Sequence, residues 1–205
     1  MRRFLMVLVL LMFVGCDEPT LTINLGLGPV IQPPTPNQDY DYPGFQLEKP
    51  TVNLETALRQ SNWLGSRRQG SCVHATMTML FRWQGQFEMA DYWKKTHGDG
   101  EHSSGLSAKM DRAGVRYAYT ARKNDASFLK WACDTRRGCG VAVMNGRHMV
   151  MLVHFDDEYA GILDNNYTKS FKWIKRETFL ADWQRSGSWA VTPLMASPPP
   201  PLPFD

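Results

Sequence analysis

After Gly140 the chain changes its period, and that change limits the fold more than any other feature of the sequence. Upstream, apolar residues recur at helical spacing over 76–83, 88–95, 106–113 and 126–132, and only 115–120 alternates like a strand. Gly85 and Gly114 stand where a helix would be closed by a left-handed residue. Downstream, 141–144, 149–155, 161–163 and 171–174 are short, rich in β-formers and separated by turn residues. A late helix over 177–183 and a closing strand over 189–194 complete the pattern. Helices first and an antiparallel sheet second predict an α+β fold, and no internal repeat interrupts it.

The flanks bound this unit. Residues 16–50 carry Pro29, Pro33, Pro34, Pro36 and Pro43 without sustained helical periodicity, so they are expected to be an extended tether, with one short strand near 21–27. Residues 17–50 also have the length to act as a pro-segment. Residues 196–205 form a proline-rich tail, which fits either a solvated end or a ligand for a proline reader. That leaves 51–195 as one domain, and the 43% hydrophobic content, with seven Trp and ten Phe, is enough to give it a core. The formal charge of +3 includes Arg2 and Arg3; without residues 1–15, 21 basic side chains face 20 acidic ones. Nothing in that balance suggests a nucleic-acid partner, which would require a clustered basic face.

Residues 1–15 place two arginines before an apolar run from Phe4 to Val14. The run is shorter than the roughly 20 residues needed to span a bilayer, but it suits the hydrophobic region of a secretory signal. Its end, Phe13-Val14-Gly15-Cys16, resembles the lipobox of bacterial lipoproteins, with Phe13 in place of the usual leucine. The resemblance implies that Cys16 is lipidated and becomes the mature N-terminus, anchoring an exported protein to the cell-envelope membrane. An ordinary signal peptide cut nearby would export the protein as well.

Three cysteines remain. Cys133 and Cys139 flank the short polar stretch 134–138, and in an oxidising compartment a disulfide across it is expected. A metal site there would need a histidine or a second cysteine pair close by in sequence. Cys72 is then unpaired. It follows the loop Gln69-Gly70-Ser71 and opens an apolar helix, where free N–H groups and the positive end of the helix dipole favour thiolate over thiol. Later in the chain, His148 opens one strand and Asp164 closes the next, with Asp156-Asp157-Glu158 as the turn between them. Antiparallel neighbours place the start of one strand beside the end of the other, so His148 and Asp164 are expected side by side. A carboxylate there fixes the imidazole tautomer and stabilises the imidazolium, which in turn lowers the pKa of a neighbouring thiol.

The order Cys72, His148 at a strand head, and Asp164 at the next strand's end resembles papain-like cysteine peptidases, especially the branch of bacterial double-glycine leader peptidases and their stand-alone relatives. In that branch the nucleophile helix ends in an aromatic and a glycine thirteen residues on; here these are Trp83 and Gly85. The resemblance covers about residues 55–194. It implies a papain-like α+β fold with a helical half carrying the nucleophile and a sheet half carrying His148 and Asp164, a peptide or protein substrate, no cofactor or metal, and a monomer. The family's oxyanion glutamine usually lies six residues before the cysteine, where this chain has Ser66, so Gln69 is the expected donor beside the Cys72 N–H. Two alternatives remain open. The same triad fits cell-wall amide hydrolysis or acyl transfer, whose enzymes also order Cys before His but usually carry a second His as third member. And if Cys72 aligns with a disulfide cysteine of papain, Ala75 takes the nucleophile's place and the protein is an inactive, peptide-binding relative.

Other polar residues carry blander expectations. His74 is a helix surface or core residue, and His154, six residues from His148 on one strand, is expected to share its face as a satisfied sheet histidine. His97, His102, Asp99 and Glu101 belong to a solvated loop with a weak metal-binding composition. Asn165 and Asn166 adjoin Asp164 and can each take its orienting role.

Overall fold

Nine successive side chains, Val73 to Phe81, are buried in α1 (Cys72–Trp83), so this helix is sheathed on every side. The computed structural model describes residues 54–196 together with the strand Thr22–Asn24. The α1 helix begins at Cys72 itself and ends in Gly85, whose φ of +74° closes it; the N–H of Gln86 donates to Phe81 O at 2.8 Å in a Schellman arrangement. The α2 helix (Phe87–Thr96) buries Met89, Ala90 and Trp93, and α3 (Ser103–Arg112) buries Leu106 and Met110, each at the spacing that makes one apolar stripe.

Among the described residues the strands are β1 (Thr22–Asn24), β2 (Val115–Thr120), β3 (Cys139–Val143), β4 (His148–Phe155), β5 (Tyr159–Leu163), β6 (Lys172–Lys175) and β7 (Ala190–Ala196). They form one antiparallel sheet in the order β1-β2-β7-β3-β4-β5-β6, with the last strand in sequence near its middle. Two further helices, α4 (Ala126–Asp134) and α5 (Arg176–Arg185), complete the mixed helical and antiparallel architecture, which is α+β as expected.

The sheet is not a separate half. Met149, Met151 and Val153 of β4 join the core of α1, α2 and α3, while Val150, Leu152 and Phe155 join a second core with Phe128 and Leu129 of α4 and Phe179 and Trp183 of α5. Helices therefore cover both faces, which is why β4 reads as a nearly continuous apolar run rather than an alternating one. Each large side chain buried in these layers contributes roughly 1.5–3 kcal/mol of transfer free energy. The sheet also extends upstream of Gly140, through β2 and through β1, which lies inside the segment expected as tether and pairs Thr22 with Tyr119.

Two expectations need correcting. Cys133 and Cys139 are free thiols, not a disulfide. Both are buried in the core, Cys133 on α4 and Cys139 at the start of β3, and behave as small apolar side chains; burial pushes each thiol well above its ordinary pKa. His154 does not keep step with His148. A bulge between Leu152 and His154 shifts the register, so His154 pairs with Gly161, hydrogen-bonds Asp156 at 2.8 Å and meets Trp173 edge-on. No helix among the described residues is long and apolar enough to cross a membrane. The signal, Cys16 and the tail beyond residue 196 lie outside the described residues.

His74 is fully buried, with His97 5.5 Å away and Trp93 at 6.1 Å, and His97 stacks on Trp93 at 4.2 Å. Burial first, then the Lys109 charge, lower both histidines from 6.5 to about 4. A base whose folded pKa is depressed binds fewer protons in the native state than in the unfolded one, so stability is complete above about 6.5 and is lost as pH falls towards about 4. The melting temperature should decline across that window and should decline less steeply in His74→Phe; an unchanged slope would show that this cluster does not set the acid limit.

Candidate active site

The loop before α1 is held in three places. The Ser71 N–H donates to Trp63 O at 2.9 Å, the Gly65 N–H donates to Gln69 O at 2.9 Å, and Leu64 bridges to Gly70. Across it lies Asp99, only 4% exposed, whose carboxylate accepts from the N–H groups of Arg67 at 2.9 Å and Gln69 at 3.2 Å and from Ser66 Oγ at 3.0 Å. The Asp99 N–H donates to Ser71 Oγ at 2.9 Å. Burial pushes this carboxyl up, and the Arg67 and Gln69 N–H groups more than offset it, so its pKa is held low. A side chain at Gly65 would meet Asp99 N at 2.2 Å, so glycine is needed for the contact. Asp99 therefore braces the stretch that presents Gln69 and Cys72. The sequence marks it only faintly, as an acid between Gly98 and Gly100 that takes φ +64°.

Cys72 and the cleft meet the sheet at His148, the first residue of β4. His148 Nε2 donates to Asp164 Oδ1 at 2.8 Å, which leaves Nδ1 for the hydrogen bond with the Cys72 thiol. Both His148 and Asp164 are 8% exposed. Burial raises the Cys72 pKa, but hydrogen bonds from His148 and from the Met149 and Val73 backbone, together with the His148 charge, bring it below its ordinary value. Burial lowers the His148 pKa, and its hydrogen bonds to Cys72 and Asp164 outweigh that and raise it. The two directions agree: each group favours the charged form of the other, a thiolate–imidazolium pair.

Asp164 is itself held. Burial would raise its pKa, but the Asn166 N–H at 2.9 Å, His148, and Lys172 Nζ at 3.0 Å from Oδ2 keep it ionised. Neither neighbouring asparagine takes its orienting role. Asn165, fully buried, reaches Cys72 O at 3.1 Å, Thr76 Oγ1 at 3.1 Å and Met149 O at 2.8 Å through Nδ2, and so ties the nucleophile helix to β4. Asn166 Oδ1 accepts from Asn62 Nδ2 at 3.1 Å.

These groups open on a cleft of about 700 Å³ lined by Gln69, Cys72, Glu101, Arg147, His148 and Trp189, among others. Gln69 is exposed in this cleft, its Oε1 lying 3.3 Å from where a Gly100 side chain would begin. Ala75 is fully buried one turn into α1 and does not line the cleft. The loop expected to be solvated forms a wall instead, with Glu101 held by Lys109 and by the His102 N–H. Among the described residues no group of His, Cys, Asp and Glu is placed to hold a metal ion. A thiolate with an acid–base partner beside an open cleft can add to a carbonyl carbon and pass a proton to the group that leaves. No family model, curated protein or solved structure matches this chain.

Proposed function

We propose that the protein is an exported, lipid-anchored cysteine peptidase of papain-like type. The observation that carries this reading is the relay from Cys72 through His148 to Asp164, with Nε2 of His148 2.8 Å from the carboxylate and the thiol on its other side. The order of the three residues, the nucleophile at a helix start, and the pairing of β4 with β5 support the papain-like assignment. The burial of Ala75 supports Cys72 as the nucleophile. Export and anchoring rest on the N-terminal pattern ending at Cys16.

In this mechanism Cys72 Sγ attacks the carbonyl carbon of a bound peptide, and the carbonyl π electrons move to oxygen. The free N–H of Cys72 at the helix start and the side-chain N–H groups of Gln69 stabilise that oxyanion. The His148 imidazolium gives its proton to the departing amine, and the C–N bond breaks to leave an acyl-thioester. His148 then takes a proton from water as the water attacks the thioester, and Cys72 leaves as thiolate. Asp164 keeps Nε2 protonated throughout.

The test is incubation of the full-length protein in detergent with a diverse peptide pool, with products read by mass spectrometry. Cleavage that disappears in Cys72→Ala, with melting temperature preserved, supports the reading; cleavage that persists undiminished overturns it. If the pool stays intact but muropeptides leave purified sacculi in a Cys72-dependent way, the same triad serves cell-wall amide hydrolysis.

A further inference from the structure

A catalytic carboxylate that orients an imidazole usually acts through its full negative charge. Here Oδ1 of Asp164 accepts from His148 Nε2 at 2.8 Å and from the Asn166 N–H at 2.9 Å, and Oδ2 accepts from Lys172 Nζ at 3.0 Å. Lys172 is the first residue of β6, 42% exposed at its side chain, and its ammonium also lies 4.3 Å from the centre of the Tyr167 ring. The loop carrying Tyr167 is pinned from outside the sheet: Arg59 Nη1 donates to Thr168 O at 2.7 Å and Lys169 O at 2.8 Å, with its guanidinium 4.8 Å from the Phe171 ring centre. The ammonium is thus directed at the oxygen the histidine leaves free.

We propose that Lys172 is a positioning residue of the Cys72–His148–Asp164 relay, which fixes the Asp164 carboxylate and partly neutralises it so that His148 stays easy to deprotonate. The inference rests on the peptidase reading for its purpose, but its electrostatic content does not. An uncompensated carboxylate holds the imidazolium more tightly than a compensated one, and the same ring must later act as base towards water. With the ammonium in place, Asp164 still sets the tautomer and orientation while its pull on the proton is reduced. Asp164 stays ionised, with part of its charge offset by the ammonium.

The other charges facing His148 are accounted for. Cys72 lies on α1, Arg147 precedes His148 on the β3–β4 turn, and Arg67, Glu101 and His102 line the opposite wall of the cleft. Glu101 is paired with Lys109, and Lys172 is the cation bonded directly to the carboxylate that His148 uses.

The test is an NMR titration of the ¹⁵N-labelled imidazole of His148 in the full-length protein, with the pH profile of peptide cleavage alongside it. Removing a nearby positive charge makes His148 hold its proton more tightly, so Lys172→Met should raise its pKa by about half a unit, a figure discounted from the usual charge-pair range because Lys172 is partly exposed. The alkaline limb of the cleavage profile should move upward with it. Lys172→Arg, which keeps the charge, should restore the wild-type value. A loss of activity or melting temperature in Lys172→Met with the His148 pKa unmoved would reduce Lys172 to a structural role and overturn the proposal. The peptidase reading fails separately, if the wild-type protein cleaves nothing while the Lys172→Met shift is still seen.

Discussion

In His148→Ala, the rate at which iodoacetamide alkylates Cys72 near neutral pH should fall at least tenfold, and peptide cleavage should fall about a thousandfold or more, because members of one relay act as a unit. The direction follows from what holds the thiol. Burial pushes the Cys72 pKa up, and hydrogen bonding and charge from His148 are prominent among the effects that bring it below its ordinary value. Without the imidazole, burial is opposed only by the Met149 and Val73 backbone hydrogen bonds, so the thiol pKa rises and less thiolate exists at pH 7. Cleavage suffers more than alkylation, since it also needs a proton for the leaving amine and a base for the attacking water, whereas alkylation needs only thiolate. The measurement is the pH–rate profile of alkylation, followed on the Cys72 peptide by mass spectrometry to separate it from the buried Cys133 and Cys139. In the wild type the rate should stay high well below the ordinary thiol pKa. An identical profile in His148→Ala would mean that the two side chains do not form a working pair, and the peptidase reading would fall with it.

Why these two residues can be brought together from sequence, and others cannot, is a matter of range. The helices and strands are legible because each depends on a local period: 115–120 alternates and forms β2 over the same residues, and the apolar run after Cys72 forms α1. His148 and Asp164 are legible as neighbours because one short turn joins their strands and antiparallel pairing does the rest. Cys72 is legible through its place at a helix start. Asp99 and Lys172 are not, because their value lies in contacts that no period encodes. Asp99 reaches back about thirty residues to brace the loop before Cys72, and in sequence it is one acid in a polar stretch. Lys172 opens a short edge strand whose alternation says only that it points away from Trp173. The layering of helices on both faces of the sheet is equally hidden, since α4 and α5 carry ordinary amphipathic stripes that name no partner. The disulfide inference fails for a related reason: closeness in sequence and an oxidising compartment do not reveal that Cys133 and Cys139 pack as apolar side chains of one core.

Asn165→Ala should cost about 2–4 kcal/mol of folding free energy, seen as a fall in melting temperature of roughly 8 °C or more. The residue is fully buried, and its amide is within hydrogen-bonding distance of the backbone oxygens of Cys72 and Met149 and the hydroxyl of Thr76. Truncation removes a donor shared by three oxygens at the junction and leaves a cavity in its place, so the cost combines lost hydrogen bonding with lost packing. Thr76 Oγ1 still donates to Met149 O at 3.0 Å, so the junction between α1 and β4 is weakened rather than lost. Asn165→Asp separates hydrogen bonding from packing. It keeps the shape but turns a donor towards those oxygens into an acceptor, so it should destabilise at least as much as alanine at neutral pH and recover as the new carboxyl is protonated on acidification. Urea denaturation of both variants at pH 5 and pH 7 measures this; melting temperatures within about 2 °C of wild type would show that the helix and sheet are held by apolar packing alone. The bridge also bears on the chemistry, because one of its acceptors is the carbonyl of Cys72 itself and another belongs to the residue after His148. The amide that stabilises the junction of helix and sheet therefore also sets the distance between nucleophile and base, and a loosened variant should lose cleavage rate before it loses its fold.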